Sequence, residues 1–261
     1  MEKTPLSLYL LFLFIISPLR PSARESFVVL DSITDAILIS IGDISTQLSP
    51  CSTFKIALSL MGYDTNILTN EQTPQWDFHD GYTDLLPIWK ASQTPSSWIK
   101  NSCVWYSQLL TPLIGKTRIS DYLAKFDYGN QDFSGDPGKN NGLSNAWLSS
   151  SLKISPLQQV QFLKKIIRSS LPVSQNALDM TKNIILIETL PNGWKLFGKT
   201  GATSTTLEKD RQLGWFIGWV EKNELSYPFA LVIQDATIIP SKRITRANQL
   251  LHEHLLKKCL H

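Results

Sequence analysis

Hydrophobic and polar positions alternate differently in successive stretches of this chain. Phe27-Val28-Val29-Leu30 and Ile37-Leu38-Ile39-Ser40-Ile41 read as two short strands, with a turn over Asp31 to Asp35. After Pro50 the spacing becomes helical: Phe54, Ile56, Ala57, Leu58 and Leu60 form the apolar side of a helix starting near Ser52. Residues 70–101 are rich in Pro, Trp, Gly and Asp and read as irregular, apart from a short helix around 82–90. The stretch 127–146, with its Gly, Asn, Gln and Pro137, carries loop chemistry. Patterning assigns no element to 104–126. Ser155-Pro156-Leu157-Gln158 then combines an N-cap, Pro at the first helical position and a Gln that closes a capping box. Leu157, Val160, Leu163, Ile166 and Ile167 follow as an apolar stripe, and a further helix over Gln175 to Ile187 is capped by Ser174.

The last third switches to period two. Trp194 to Lys199, Gly214 to Glu221 and Tyr227 to Gln234 are successive strands, the last two joined by a tight turn at Lys222–Asn223. An amphipathic helix over 241–260 closes the chain. Strands, a helical block, strands and a terminal helix predict an α/β sheet domain with an all-helical region inserted.

The N-terminus stands apart. Lys3 precedes an apolar run from Leu6 to Ile16, and small residues gather near the end of Pro18 to Ala23. That is the layout of a secretory signal over residues 1–23, the run being shorter than the roughly 20 residues of a membrane span; an uncleaved anchor is the alternative. Hydrophobic content of 43% with 18% charged residues describes a globular chain of 261 residues. A net charge of +3 without clustered Lys and Arg argues against nucleic acid as the partner. Cys51, Cys103 and Cys259 are too few and odd in number for a disulfide framework, and small buried thiols are expected. No Cys, His or carboxylate cluster has metal spacing, no His has a triad setting, and there is no Gly-x-Ser-x-Gly elbow.

Candidate chemistry lies in an ordered set of short motifs: Ser52-Thr53-Phe54-Lys55, Ser102-Cys103-Val104, Tyr128-Gly129-Asn130, Trp147 and Lys199-Thr200-Gly201. Ser52 and Lys55 share a helix face, so a neutral Lys55 amine could take the serine proton. An ordinary Lys is neutral only about once in 2500 molecules at pH 7, and burial is what would change that. Phe54, Val104, Trp147 and Leu148 are candidate walls of such a dry pocket. Singly, each motif is weak. Ser-x-x-Lys recurs at Ser97–Lys100 and Ser150–Lys153, and Ser-x-Val recurs at Ser26–Val28. Lys199 and Thr200, at the end of an apolar strand, suit an anionic substrate, and Gly201 bares the strand edge to a ligand.

Order and spacing together resemble the class D β-lactamases, across about residues 27–255. Flanking text also matches: Trp147-Leu148 before Leu152-Lys-Ile-Ser-Pro, and Gly218-Trp-Val-Glu-Lys after the Lys199-Thr200-Gly201 strand. The resemblance implies a mixed, largely antiparallel sheet flanked by helices, in one catalytic domain over 24–261 with the helical insertion at about 55–188. It implies Ser52 as acyl-forming nucleophile and Lys55, carbamylated by carbon dioxide, as general base. Trp147 would donate to the carbamate, Ser102 would relay a proton to the leaving nitrogen, and Val104 would shield the lysine. Lys199, Thr200 and Arg243 would hold the substrate carboxylate, beside Gly201. Backbone N–H groups of Ser52 and Ala202 would form the oxyanion hole. No cofactor beyond carbon dioxide or bicarbonate is implied, nor any metal. The partner is a β-lactam, the chain a monomer or homodimer, and the location the periplasm or exterior of a bacterium. Ala202 and the Thr-Ser-Thr-Thr after it replace bulkier residues, and Arg243 has Lys242 and Arg246 as neighbours. A β-lactam sensor domain and a wall transpeptidase or carboxypeptidase remain as alternatives. A sensor is expected to need membrane segments beyond 261 residues, and a wall enzyme usually has Ser-x-Asn as its second motif.

Overall fold

The computed structural model describes residues 24–190, 193–203, 212–235 and 239–256. The leader at 1–23 and Cys259 therefore lie outside the described residues. Strands β1 (Arg24–Leu30) and β2 (Ile37–Ile41) form a hairpin, its turn closed by the Asp31 carboxylate accepting the N–H groups of Ile33 and Thr34 at 2.7 and 3.0 Å. Strands β3 (Leu186–Thr189), β4 (Lys195–Ala202), β5 (Gln212–Lys222) and β6 (Leu225–Asp235) complete one sheet in the order β2-β1-β6-β5-β4-β3. Where a mixed, largely antiparallel sheet is expected, every pairing among the described strands is antiparallel.

Period-two alternation sends the strand residues to two separate cores. Val28, Leu30, Phe197, Trp215, Ile217 and Trp219 face a large helical body. Phe27, Val29, Leu196, Phe216, Val220 and Phe229 face Ala247, Leu250 and Leu251 of the C-terminal helix α8 (Pro240–Leu251). The helical body consists of α1 (Lys55–Asp64), α2 (Pro95–Asn101), α3 (Val104–Ile114), α4 (Lys116–Phe126), the short α5 (Gly142–Asn145), α6 (Pro156–Ile167) and α7 (Gln175–Ile185). All of these fall between β2 and β3 in the chain. In α1 the residues from Lys55 to Tyr63 are buried all round, so it is the central helix rather than a one-sided amphipathic one. It packs against α7 and α3, while α6 lies across β1, β5 and β6.

Capping explains several boundaries. The Ser155 hydroxyl accepts from Gln158 N and the Gln158 side chain accepts from Ser155 N, as the sequence pattern predicts, and Ser174 caps α7. Elsewhere the expectations shift. The helix around 82–90 is only a 3-10 turn at Pro87–Lys90, and α2 lies inside the stretch read as irregular, capped by a Thr94–Ser97 box with Pro95 at its start. Helices α3 and α4 occupy the unassigned 104–126. The helix expected to reach Ile187 stops at Ile185, where Leu186 turns extended and pairs with Phe197. The β5–β6 turn is at residues 223–224, with Asn223 at φ 56°, one position later than expected. After α8 the chain widens into a π-helical turn over His252–Leu256.

Strands β4 and β5 cross at a glycine pair, Gly198 opposite Gly218. A Cβ on Gly218 would sit 1.9 Å from the Phe197 carbonyl oxygen, a backbone atom that cannot give way. Gly218→Ala is therefore expected to destabilise the protein by about 1–3 kcal/mol, read as a lower Tm. An unchanged Tm would mean that these strands do not approach as closely as described.

Candidate active site

The turn that carries Ser52 is built by an abrupt change of direction. Leu48 exchanges backbone hydrogen bonds with Ile154 at 2.9 and 2.8 Å, Pro50 follows, and Cys51 adopts φ 50°, in the left-handed region a non-glycine residue enters at a cost. Residues Cys51–Phe54 then form a 3-10 turn that runs straight into α1. The Thr53 hydroxyl donates to Pro50 O at 2.6 Å and accepts from the Gln159 amide of α6 at 3.0 Å, which ties the turn to the helix behind it. Ser52 is left half-buried at the tip, and the Lys55 amine lies one turn on, donating to Ser52 Oγ at 3.4 Å.

Lys55 is fully buried, and loss of solvation pulls its pKa from 10.5 down to about 8. The ionisable groups whose charge would favour its protonated form are thiols. Cys51 and Cys103 are both free and buried, and burial pushes them up to about 12 and about 11, so neither supplies a countercharge at neutral pH.

The other motifs converge on the same place. Helix α2 ends with Ser102 in the left-handed region at φ 54°, and α3 starts at the buried Val104. The Ser102 hydroxyl accepts a hydrogen bond from the Lys199 amine of β4, which also donates to Thr200 O at 3.0 Å. Lys199 is buried, and desolvation, then the Lys55 and Arg243 charges, lowers its pKa well below the ordinary lysine value. Arg243, on α8, is buried at the end of β4 and donates to Gly201 O; burial pulls its pKa to about 10, and its Nε has no partner. At Gly201 a side chain would meet Pro50 O at 3.0 Å and Thr53 N at 3.1 Å, so glycine lets β4 close on the Cys51–Phe54 turn. Strand β3 reaches only to Phe197, which leaves Lys199 to Ala202 with one edge unpaired by any described strand. Thr200 is half-buried on that segment and Ala202 is exposed at its end.

Trp147 forms the back wall. It is fully buried, stacks on Phe54 at 5.8 Å and on Phe133 at 6.0 Å, and its indole N–H has no hydrogen-bond partner. Tyr128 meets the edge of Phe54 at 5.6 Å. The rest of Tyr128-Gly129-Asn130 is scaffolding. Gly129, at φ 57°, has the Lys153 carbonyl oxygen 1.9 Å from where a Cβ would be, and the Asn130 side chain bonds Ser151 O and Lys153 N. The repeated motifs stay apart from the site: the Ser97 hydroxyl belongs to the α2 capping box, Ser150 donates to Asp136 at 2.7 Å, and Ser26 lies in β1. Gln159 and Phe133 support the site without any motif to mark them, and Thr53, within the first motif, supports it in a role the motif does not indicate.

Three buried cationic side chains, Lys55, Lys199 and Arg243, thus face one region with no ion pair to a described carboxylate. A hydroxyl stands beside each lysine. Such a site suits an anionic ligand, since unpaired buried charge is otherwise costly. Among the described residues no group of three or more metal-ligating side chains gathers.

Residues 25–260 match the family model of the penicillin-binding protein transpeptidase domain. The chain is 45% identical to the β-lactamase OXA-1 of Escherichia coli over 206 residues, 78% of this chain and 73% of that protein. The chain belongs to the class D β-lactamases. The solved structure of the class D β-lactamase OXA-427 superposes with a TM-score of 0.82 at 41% identity, covering 90% of this chain and 98% of that one. The C-terminal domain of the BlaR penicillin receptor of Bacillus licheniformis superposes at 0.79 with 30% identity, covering 89% and 90%. The class D family therefore shares its fold with a receptor domain.

Burial of an unpaired lysine has a measurable sign. Below pH 8 the Lys55 amine is protonated both folded and unfolded, and the full desolvation cost is present; between about 8 and 10.5 the unfolded chain holds more protons, so this contribution becomes more favourable as pH rises. Lys55→Met keeps the stem and removes the charge. In buffer purged of carbon dioxide at pH 7 it is expected to raise stability by about 1–3 kcal/mol, an advantage that shrinks above pH 8. A lower Tm for Lys55→Met at pH 7 would contradict a desolvated, unpaired amine.

Proposed function

We propose that this class D enzyme opens the amide bond of penicillin-type β-lactams through an acyl-enzyme on Ser52, and releases the product with water. The observation that carries this reading is the pairing of the buried Lys55 amine with Ser52 Oγ at 3.4 Å, beside an unpartnered Trp147 N–H. Ser52 Oγ attacks the lactam carbonyl carbon while its proton passes to the Lys55 side chain. Backbone N–H groups of Ser52 and Ala202 hold the developing oxyanion. As the carbon–nitrogen bond breaks, Ser102, hydrogen-bonded to Lys199, hands a proton to the lactam nitrogen. Lys199, Thr200 and Arg243 bind the substrate carboxylate along the bare edge at Gly201, which answers the lack of a protein carboxylate there.

Water must then attack the ester, and this needs a base still in place. Carbon dioxide added to the neutral Lys55 amine would supply one, as a carbamate that accepts a proton near neutral pH. The residues fit such a group: the amine is desolvated to a pKa of about 8, the orphaned Trp147 N–H needs an acceptor, and Val104 keeps bulk water off the lysine. Export is part of the same proposal, through residues 1–23 as a cleaved signal to the periplasm or exterior.

The likeness to a penicillin receptor domain favours one competing reading, a sensor that stays acylated. A wall transpeptidase is less compatible with Ser102-Cys103-Val104. Turnover separates them. Multiple cycles on a simple penicillin are expected, with acyl-enzyme lifetimes of about a second or less. One equivalent of product followed by an adduct stable for hours would point to the receptor chemistry instead. Ser52→Ala is expected to abolish covalent labelling by penicillin at unchanged Tm, while Ser97→Ala and Ser150→Ala label normally; labelling that survives Ser52→Ala sinks the nucleophile assignment. Trp147→Phe is expected to slow deacylation more than acylation, with partial rescue by bicarbonate. Equal slowing of both steps, deaf to bicarbonate, would remove Trp147 from the role given to it.

A further inference from the structure

Ser49 precedes the first motif by three residues and belongs to none of the motifs, yet it bonds two walls of the site, the Trp147–Ser149 segment and β5. It is 1% exposed. Its hydroxyl donates to Trp147 O at 2.9 Å and accepts from Ser149 N at 2.9 Å, so one oxygen bridges Leu148 and anchors the carbonyl end of Trp147. Its own carbonyl accepts the indole N–H of Trp215 at 2.8 Å. Trp215 stands opposite Gly201 in the β4–β5 register, on the strand beside the Lys199 segment. Ser149 has φ 60°, a conformation that its own side chain does not favour and that an external hydrogen bond helps to hold. The stacking of Trp147 on Phe54 fixes the plane of the ring, whereas the bonds to Ser49 fix the backbone from which it projects.

We propose that Ser49 is a positioning residue: its hydroxyl sets where Trp147 sits relative to the nucleophile turn, and thereby how firmly Lys55 retains carbon dioxide. The second half rests on the reading of Lys55 given above. Ser49 touches no substrate; it acts through Trp147. Removing its hydroxyl leaves Trp147 O and Ser149 N without their buried partner, and the segment must move to recover hydrogen bonds.

The test compares the parent, Ser49→Ala and Ser59→Ala, the last a buried serine on α1 whose hydroxyl bonds Ile56 O and Thr181 instead. The first measurement is the indole 15N–1H resonance of Trp147, identified by its loss in Trp147→Phe. It is expected to shift or broaden in Ser49→Ala and to stay in place in Ser59→Ala. The second is the bicarbonate concentration giving half-maximal turnover, expected to rise about tenfold in Ser49→Ala alone, the scale of a lost outer contact to a bound group. An unmoved indole resonance overturns the proposal. So does a moved resonance with parental bicarbonate dependence, which would make Ser49 a strut and nothing more. A parent indifferent to bicarbonate would instead fail the Lys55 reading, and the indole resonance would still decide whether Ser49 places Trp147. If Ser49→Ala does not fold, Ser49→Cys fills the same space with a weaker hydrogen-bonding group and takes both measurements.

Discussion

A lysine amine held out of water without a countercharge is the constraint on which the rest of the site depends. At a pKa of about 8, about one Lys55 amine in ten is neutral at pH 7, several hundred times the fraction of a solvated lysine. That gain comes from desolvation, and desolvation has to be maintained by packing. It requires α1 to be buried on every side, which explains why a helix carrying a charged residue in its first turn runs through the middle of the helical body. It also requires a wall that water does not cross, and Phe54, Phe133 and Trp147 stack in sequence to form one. A single hydrogen-bonding hole breaks this wall, the Trp147 N–H, and it lies in the ring that stacks on the residue before Lys55.

The sheet supplies the complementary half. Antiparallel β4 can present Lys199 and Thr200 beside the Ser52 turn because β3 is too short to cover it beyond Phe197, and because Gly201 allows backbone to approach backbone. Local strain appears at both serine motifs, with Cys51 and Ser102 in the left-handed region. Each is a sharp reversal at the start of a helix, which turns the adjacent hydroxyl toward the cationic region rather than into the helix surface. Non-glycine residues in that region cost on the order of 1–3 kcal/mol, so the surrounding packing must hold them there.

Much of this was legible in the chain. Period-two runs marked β1, β2, β4, β5 and β6, and the Ser155–Gln158 capping box marked the start of α6, because these signals are local. Helices α2 to α4 escaped notice for local reasons too. Ser97 replaces the usual Glu or Gln of a capping box, Pro112 lies inside α3, and α2 is a mere seven residues long. Strand β3 was hidden because Ile184, Ile185, Leu186 and Ile187 form one apolar run, although its four residues prove exposed. The motif residues came together because ordered motifs carry long-range information that single residues lack. Ser49 and Gln159 lie outside every motif: the Ser49–Trp147 and Thr53–Gln159 bonds join residues about a hundred positions apart, and no periodicity connects them.

The close likeness to a penicillin receptor domain limits what the fold alone can decide. Acylation needs a nucleophile, a proton acceptor and a bound carboxylate, and a receptor needs these as much as a hydrolase does. Only the second half of the cycle divides them, and its requirement is narrow: a water and a base must both stand beside the ester once the lactam nitrogen has left. What remains is the dry pocket at Lys55 and the orientation of the indole behind it. On the proposed reading of Lys55, the place to compare a hydrolase with a receptor built on this scaffold is Trp147 and its backbone, where Ser49 bonds the Trp147 carbonyl and the Ser149 N–H.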